Sequence, residues 1–515
     1  MTATRLLVLA VWTALLLTGP AALSQETHGD HDTSPAEPMD GHSVTADGRV
    51  SMPSEHLQVM IADTPIGGTL EVPEAAYVGP ITIDRPITLV GVGDVLIDGA
   101  GSGSIVTITS PDVTVRNLSL TGTADGPLEA PSGVLLEGAH RARIEDVTIR
   151  ESYIGITVRL SNDVMIDGVD IRGQGTIVGE SHVTDAGATD REQQQHASHD
   201  QGTGVTTEAQ IRGDGIWLWN TNGAVIRDTT IEHARDGVYI SYGRRATLEA
   251  NRILDSRYAI HDMYAEDLVA RGNVLEGNLS GLVLMYGGPV TVAANTITES
   301  GSPSTGFGVL VKDVGSVTIE GNVIADNRVG VQTDDAGRTG GDPTMVRGNT
   351  IAMNAIGLML RPSTDVLVTE NGFIENSTQV TLGGEGVTQA DFAPEGVGNH
   401  WSDYGGFDAD GDGTGDLAYV RSGRMSELLA QEPLLLALSS GPAFRLLASV
   451  GERWAPGDPL VSDQAPTVRS MGPDLRADRD DTGVPIWIAG LAMTATCLFL
   501  MVRARRPRGA VTADA

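Results

Sequence analysis

Between residues 213 and 300 the apolar positions come in short bursts on alternate residues, and the bursts recur every 22 residues. Blocks 213–234, 235–256, 257–278 and 279–300 align without a gap. Near the start of each comes a small residue followed by an apolar-x-apolar triplet: Gly215-Ile216-Trp217-Leu218, Gly237-Val238-Tyr239-Ile240, Ala259-Ile260-His261-Asp262 and Gly281-Leu282-Val283-Leu284. Only Asp262 breaks the triplet. The pattern continues at Gly308-Val309, Gly330-Val331 and Gly357-Leu358, in steps of 22 or 27. An asparagine column runs beside it: Asn251, Asn273, Asn295, Asn322, Asn349 and Asn371. A period of 2 predicts strands rather than helices. Strands this short bury an apolar face only by stacking coil on coil. The pattern therefore predicts an all-β chain, a parallel β-helix over residues 60–390, right-handed by the crossover preference of parallel strands. The asparagines are expected to form an internal ladder at one turn. Residues 175–212, with His182, His196, His199 and a Gln193-Gln194-Gln195 run, break the period and predict a loop extruded between coils.

The flanks differ from the coils. Residues 1–24 read as a secretory signal: Arg5, an apolar run over 6–17, and the small-x-small site Ala22-Leu23-Ser24. Residues 25–59 show no apolar period and predict a disordered linker containing His28, His31, Met39, His42, Met52 and His56. Residues 391–451 combine an acidic loop with a Leu-rich segment of helical spacing over 421–451, expected to dock on a partner or cap the solenoid. A polar linker, 452–483, leads to the apolar stretch 484–502, just long enough to span a bilayer. Arg503, Arg505, Arg506 and Arg508 follow in the tail 503–515 and predict that it is cytoplasmic. The preceding domain is then extracytoplasmic, outside the cell or in a periplasm, and anchored to the inner membrane by that span.

Composition narrows the chemistry. The chain has 34 Lys+Arg against 67 Asp+Glu, with Lys312 its only lysine, which disfavours nucleic acid as a partner. The one cysteine, Cys497, lies in the expected span, so the exported part holds no disulfide and no thiolate ligand.

Two constellations stand out. Asp408, Asp410, Asp412 and Asp416, with Gly413, follow the front half of a calcium loop, although Tyr419 stands where its bidentate Glu is expected. The coil alignment brings a second set together. With Ile260 inward, His261 and Met263 point outward, and Met285 lies one coil above Met263. Parallel coils stack at about 4.8 Å, so His261, Met263 and Met285 are expected on one exposed outer face. Imidazole and thioether ligands select copper, above all Cu(I). Tyr242, Tyr264 and Tyr286 form a parallel column expected to be an aromatic ladder. Asp262 falls in the inward column, where a lone carboxylate is costly. No nucleophile-base constellation and no phosphate-binding loop is present, and no catalytic residue is assigned.

Gly213-Asp214-Gly215-Ile216-Trp217-Leu218-Trp219-Asn220, Asp236–Tyr242, Arg257–Tyr264, Gly281–Tyr286, Leu310–Val314, Asn399–Tyr404 and Asp408–Asp416 together resemble the NosD family of periplasmic maturation proteins for nitrous oxide reductase. The likeness covers about residues 60–450. It implies a non-enzymatic role: work with the permease and ATPase of an ABC transporter, receipt of copper from a lipoprotein chaperone, and assembly of the reductase's copper–sulfide centre. Two other classes fit the fold alone. One is a secreted carbohydrate-binding or carbohydrate-modifying β-helix protein using Trp217 and Trp219 as a sugar platform. The other is a calcium-stabilised structural solenoid.

Overall fold

The computed structural model describes residues 43–44, 50–124, 130–173, 212–302, 305–336, 342–363, 365–383, 388–422 and 459–469. Each coil is three short strands, one per face. Tyr258–Met263, Leu268–Arg271 and Val274–Glu276 make one coil, and Ser280–Met285, Val290–Ala293 and Thr296–Thr298 make the next. These strands pair in parallel with their counterparts one coil on, so Ile260 lies opposite Leu282 and Met263 opposite Met285. One face is a 12-stranded sheet running from Ile81–Ile83 to Thr378–Leu382, and the other two merge into a 26-stranded sheet. The expected parallel β-helix is therefore the architecture, and the 22-residue step is its register.

The small residue that opens each face-one strand follows from stacking distance. A Cβ on Gly215 would lie 2.5 Å from the Gly237 carbonyl oxygen, and Cγ2 of Ile231 is as close. The core is Val, Ile and Leu from all three faces, continuous from Leu57 to Val461.

The asparagine column is a ladder. Nδ2 of Asn251 donates to Oδ1 of Asn273 at 3.0 Å, and the same bond repeats through Asn295, Asn322, Asn349 and Asn371 to Asn399. Each Oδ1 also accepts the backbone N–H of the asparagine one coil before it. A second ladder runs at another turn. Asn327, Asn354 and Asn376 bond in sequence, with Asn278 and Ser256 below them. Its positions repeat with the same steps as the first, so its signal was present in the chain.

The insertion leaves the stack unbroken. Met165 pairs with Val225 and Ile156 with Ile216, so the strands either side of residues 174–211 are direct neighbours. The insertion itself lies outside the described residues, as do the expected signal 1–24 and span 484–502. Among the described residues no helix is long and apolar enough to cross a membrane.

Both ends of the solenoid depart from the sequence-based boundaries. Residues 54–63, which straddle the expected boundary between the disordered linker 25–59 and the coils from 60, form a helix. Its Leu57 and Ile61, four apart, bury fully on the first coil, where an uncovered apolar core would otherwise meet water. At the other end strands continue to His400–Trp401. Residues 459–463, expected in a polar linker, pair antiparallel with Tyr419–Ser422. Asp463 Oδ2 accepts from the Asn399 backbone N–H and from Trp401 Nε1, both at 2.8 Å. That carboxylate terminates the ladder. Trp401 stacks between Phe373 and Tyr419 at 4.4 and 4.2 Å and seals the core. The Leu-rich segment 421–451 begins as strand at Arg421 and Ser422, and residues 423–458 lie outside the described residues.

Asp262 is fully buried in the inward column, in register with Ile240 and Leu284, with no distortion of the strand. Oδ1 accepts the Ala265 N–H, and Oδ2 has no partner among the described residues. Burial pushes its carboxyl up to about 7, and the Ala265 N–H offsets only part of that. The carboxyl holds its proton more tightly folded than unfolded. Its contribution to stability is then most favourable below about pH 4, the unfolded carboxyl range, and is lost as the pH rises through about 7. In urea titrations of the metal-free protein, stability is expected to fall over that window by on the order of 4 kcal/mol. Asp262→Leu is expected to remove that fall and to be more stable than the parent at pH 8, and an unchanged pH dependence in the variant overturns the assignment.

Candidate functional site

The three predicted copper ligands sit on the outer side of the 12-stranded sheet, as strand alternation requires. Met263 and Met285 are register partners on adjacent coils, and His261 lies two residues before Met263 on the same strand and face. The structure brings the three to one place. It does not leave them exposed, which corrects the expected open surface: His261 is 2% and Met263 5% exposed, and Met285 is half-buried. Neighbouring aromatic rings provide a physical reason. Tyr239, one coil below, stacks on the His261 imidazole at 4.9 Å, and Tyr258 meets it edge-on at 5.1 Å. Trp217 continues the column beneath Tyr239 at 6.5 Å. The Tyr239 hydroxyl donates to the Met263 sulfur at 3.7 Å. Burial pushes that phenol up to about 12, so it keeps its proton.

Beside these rings runs a buried charged rung that sequence reasoning did not assign. Arg235 grips Asp214 with two bonds, at 2.9 and 2.8 Å, and Arg257 grips Asp236 with two, both at 2.9 Å. Asp236 Oδ2 also meets His261 Nδ1 at 2.8 Å. Burial alone would raise the Asp236 carboxyl, but Arg257, His261 and Arg235 outweigh it and hold it well below the usual carboxylate range. The Arg257 guanidinium lies over the Tyr258 ring at 4.4 Å. The signal was the repeat of Asp214 and Asp236 one step before the small residue, with Arg235 and Arg257 one residue before Asp236 and Tyr258.

Tyr242, Tyr264 and Tyr286 stack at 5.1 and 5.2 Å, each in left-handed backbone at the turn after the face-one strand. They form the expected aromatic ladder, immediately past Met263 and Met285. Trp217 and Trp219 are both half-buried. Trp217 is engaged by Tyr239, and Trp219 by Arg159 at 5.6 Å.

In the acidic loop, oxygens of Asp408, Asp410 and Asp412 lie within 4.8 Å of one another. Asp416 is turned to the Ala409 N–H at 2.7 Å and is not part of that trio. Backbone N–H groups of Gly413 and Gly411 bond the Asp408 carboxylate and hold it below its ordinary range. Gly411 and Gly413 adopt positive φ, which the tight loop requires. The Tyr419 ring packs on Trp401 and its hydroxyl donates to Asp403, so position 12 of the loop is part of the end cap.

Residues 195–406, which contain the whole His261 cluster, match the family model described as "Periplasmic copper-binding protein (NosD)". The chain is similar to NosD over that stretch. It is 28% identical over 451 residues to the probable ABC transporter binding protein NosD of Pseudomonas aeruginosa, covering 85% of this chain and 90% of that one. It is also 28% identical over 412 residues to the protein of the same description from Stutzerimonas stutzeri, covering 78% and 84%. Among solved structures, the Streptococcus pneumoniae surface protein and adhesin PfbA is similar in fold, at 12% identity and a TM-score of 0.47, over 64% of this chain and 94% of that one. The acidic loop begins at Asp408, just past the stretch matched by the NosD model.

Proposed function

We propose that this chain is a periplasmic, non-enzymatic accessory protein. It holds Cu(I) as cargo at His261, Met263 and Met285 and works with an ABC transporter in assembling the copper–sulfide centre of nitrous oxide reductase. One observation carries the reading: an imidazole and two thioethers share one face of adjacent coils inside the stretch that matches a copper-binding family. Two thioethers and one imidazole, without thiolate, suit a soft monovalent ion and permit its release. The ion passes through as substrate, received from a lipoprotein chaperone and delivered to the reductase. The naming of the two relatives as transporter-binding proteins supports the transporter as partner. Anchorage to the inner membrane through 484–502 belongs to the same reading.

His261→Ala, Met263→Ala and Met285→Ala are each expected to weaken Cu(I) binding about tenfold or more, measured by competition with a chromophoric chelator. Met285→Ala is the most telling, because Met263→Ala also opens a buried cavity and costs roughly 2 kcal/mol or more of stability. Parental affinity in all three variants overturns the site.

Calcium in the Asp408, Asp410 and Asp412 loop, with Asp416 in support, is the second part of the proposal. Its place next to Trp401 and Tyr419 gives an ion there a structural role at the end cap. Chelator is expected to lower the melting temperature of the soluble domain and calcium to restore it, with Asp408→Ala removing the response. A melt that ignores both additions rules calcium out.

The Leu-rich segment is the proposed transporter contact. Truncation after Val420 is no clean test, since it deletes Asp463 and opens the ladder. Ser422 and Pro459 are register neighbours, so residues 423–458 can instead be replaced by a short turn. The shortened protein is expected to melt near the parent temperature and to lose co-purification with the permease. Retained co-purification would place the contact on the coils.

A further inference from the structure

Resting on that copper reading, the geometry points to Asp236 as the residue that fixes the His261 tautomer and so selects Nε2 as its ligand atom. Arg257 donates from Nε to Asp236 Oδ1 and from Nη2 to Oδ2. Arginine is always a donor and never an acceptor. A carboxyl clasped this way stays ionised, and an ionised carboxylate only accepts. The 2.8 Å contact to His261 Nδ1 therefore requires the proton on Nδ1. In a neutral imidazole the lone pair then lies on Nε2.

The rest of the surroundings holds the ring in that pose. Tyr239 covers one face and Tyr258 meets the ring from its edge. Arg257 links the two supports, because its guanidinium lies over Tyr258 while binding Asp236. Asp236 is itself fully buried, and the strand pairing seats it one coil below Tyr258. A metal-bound histidine commonly donates its other N–H to a carboxylate, which fixes the tautomer and raises the basicity of the ligating nitrogen. Here that partner is in place, and its position comes from the coil repeat: residue 236 in one coil reaches residue 261 in the next. Both Asp236 oxygens are already engaged, so the site offers a soft ion thioether and imidazole and withholds a hard carboxylate ligand. Asp236 acts through His261 and is a positioning residue.

The test uses the soluble full domain labelled with 15N-histidine. Two-bond proton–nitrogen spectra of the metal-free protein are read, with His261 assigned by His261→Ala. Protonated Nδ1 with unprotonated Nε2 is expected, and the Nε2 resonance is expected to move on adding Ag(I), a redox-inert probe for Cu(I). The double variant Asp236→Leu with Arg257→Met removes both buried charges together, which avoids stranding either one. It is expected to show protonated Nε2 and roughly tenfold or greater loss of Ag(I) affinity. Circular dichroism checks that it folds. If it does not, the wild-type spectrum alone decides. Wild-type His261 protonated on Nε2 overturns the proposal. So does unchanged Ag(I) affinity in the double variant when His261→Ala has lost it, and in that case the copper site stands. Parental Ag(I) binding by His261→Ala overturns the site itself and the ligand-atom assignment with it.

Discussion

Everything in this molecule depends on the hydrogen bond between one coil and the next. A solenoid has no second layer to close its core, so each strand must find its backbone partners in the coils either side. The asparagine ladder carries the same demand to the turns. A turn leaves backbone donors and acceptors pointing inward, where no water reaches them, and each would cost about 1–3 kcal/mol if left bare. One asparagine per coil answers several at once: its Oδ1 takes a backbone N–H and a side-chain N–H from the coil below, and its Nδ2 serves a buried carbonyl. The amide is the right group because it both donates and accepts, so it passes the pattern upward unchanged. The register follows, and with it every column of side chains on the outside.

That strict register is what makes chemistry on the outer face possible. Three rows on face one are held at fixed spacing: the aspartates and arginines at strand entry, the aromatic rings and His261 in the middle, the methionines at strand exit. No single coil contains the site. Asp236 and Tyr239 come from one coil, His261 and Met263 from the next, and Met285 from a third. A constellation assembled this way is rigid because the backbone beneath it is paired on both sides, and rigidity is what ligand positioning needs.

How much of this was legible in the chain varies with its physical origin. The coil period, the asparagine ladder and the Met263–Met285 pairing were legible, because all three follow from an invariant step and from alternation. The burial of His261 was not. Alternation tells which side of a strand a residue faces, whereas burial depends on whether Tyr239 and Tyr258 turn over it, and that is a matter of rotamers. The placement of Asp236 was half legible: its column was visible, but its contact with His261 crosses between coils at an offset of 25 rather than 22. The cap helix was missed because ten residues carrying two core positions give too weak a period. Asp463 was missed because a polar residue in a polar stretch looks like linker until the ladder it completes is seen.

The ladder's last rung has a consequence for how the chain matures. The carboxylate that closes the final coil belongs to Asp463, 64 residues beyond the Asn399 it satisfies. A chain made from its N-terminus can stack its coils as they emerge, since each coil needs only its predecessor. The top coil cannot be sealed in that order. Until residue 463 arrives, Asn399, Trp401 and the edge of the last coil face the solvent with open valences, and another chain's strand could take them. The end of the solenoid is thus set by timing as well as by sequence, and completion waits on a segment that lies beyond the acidic loop.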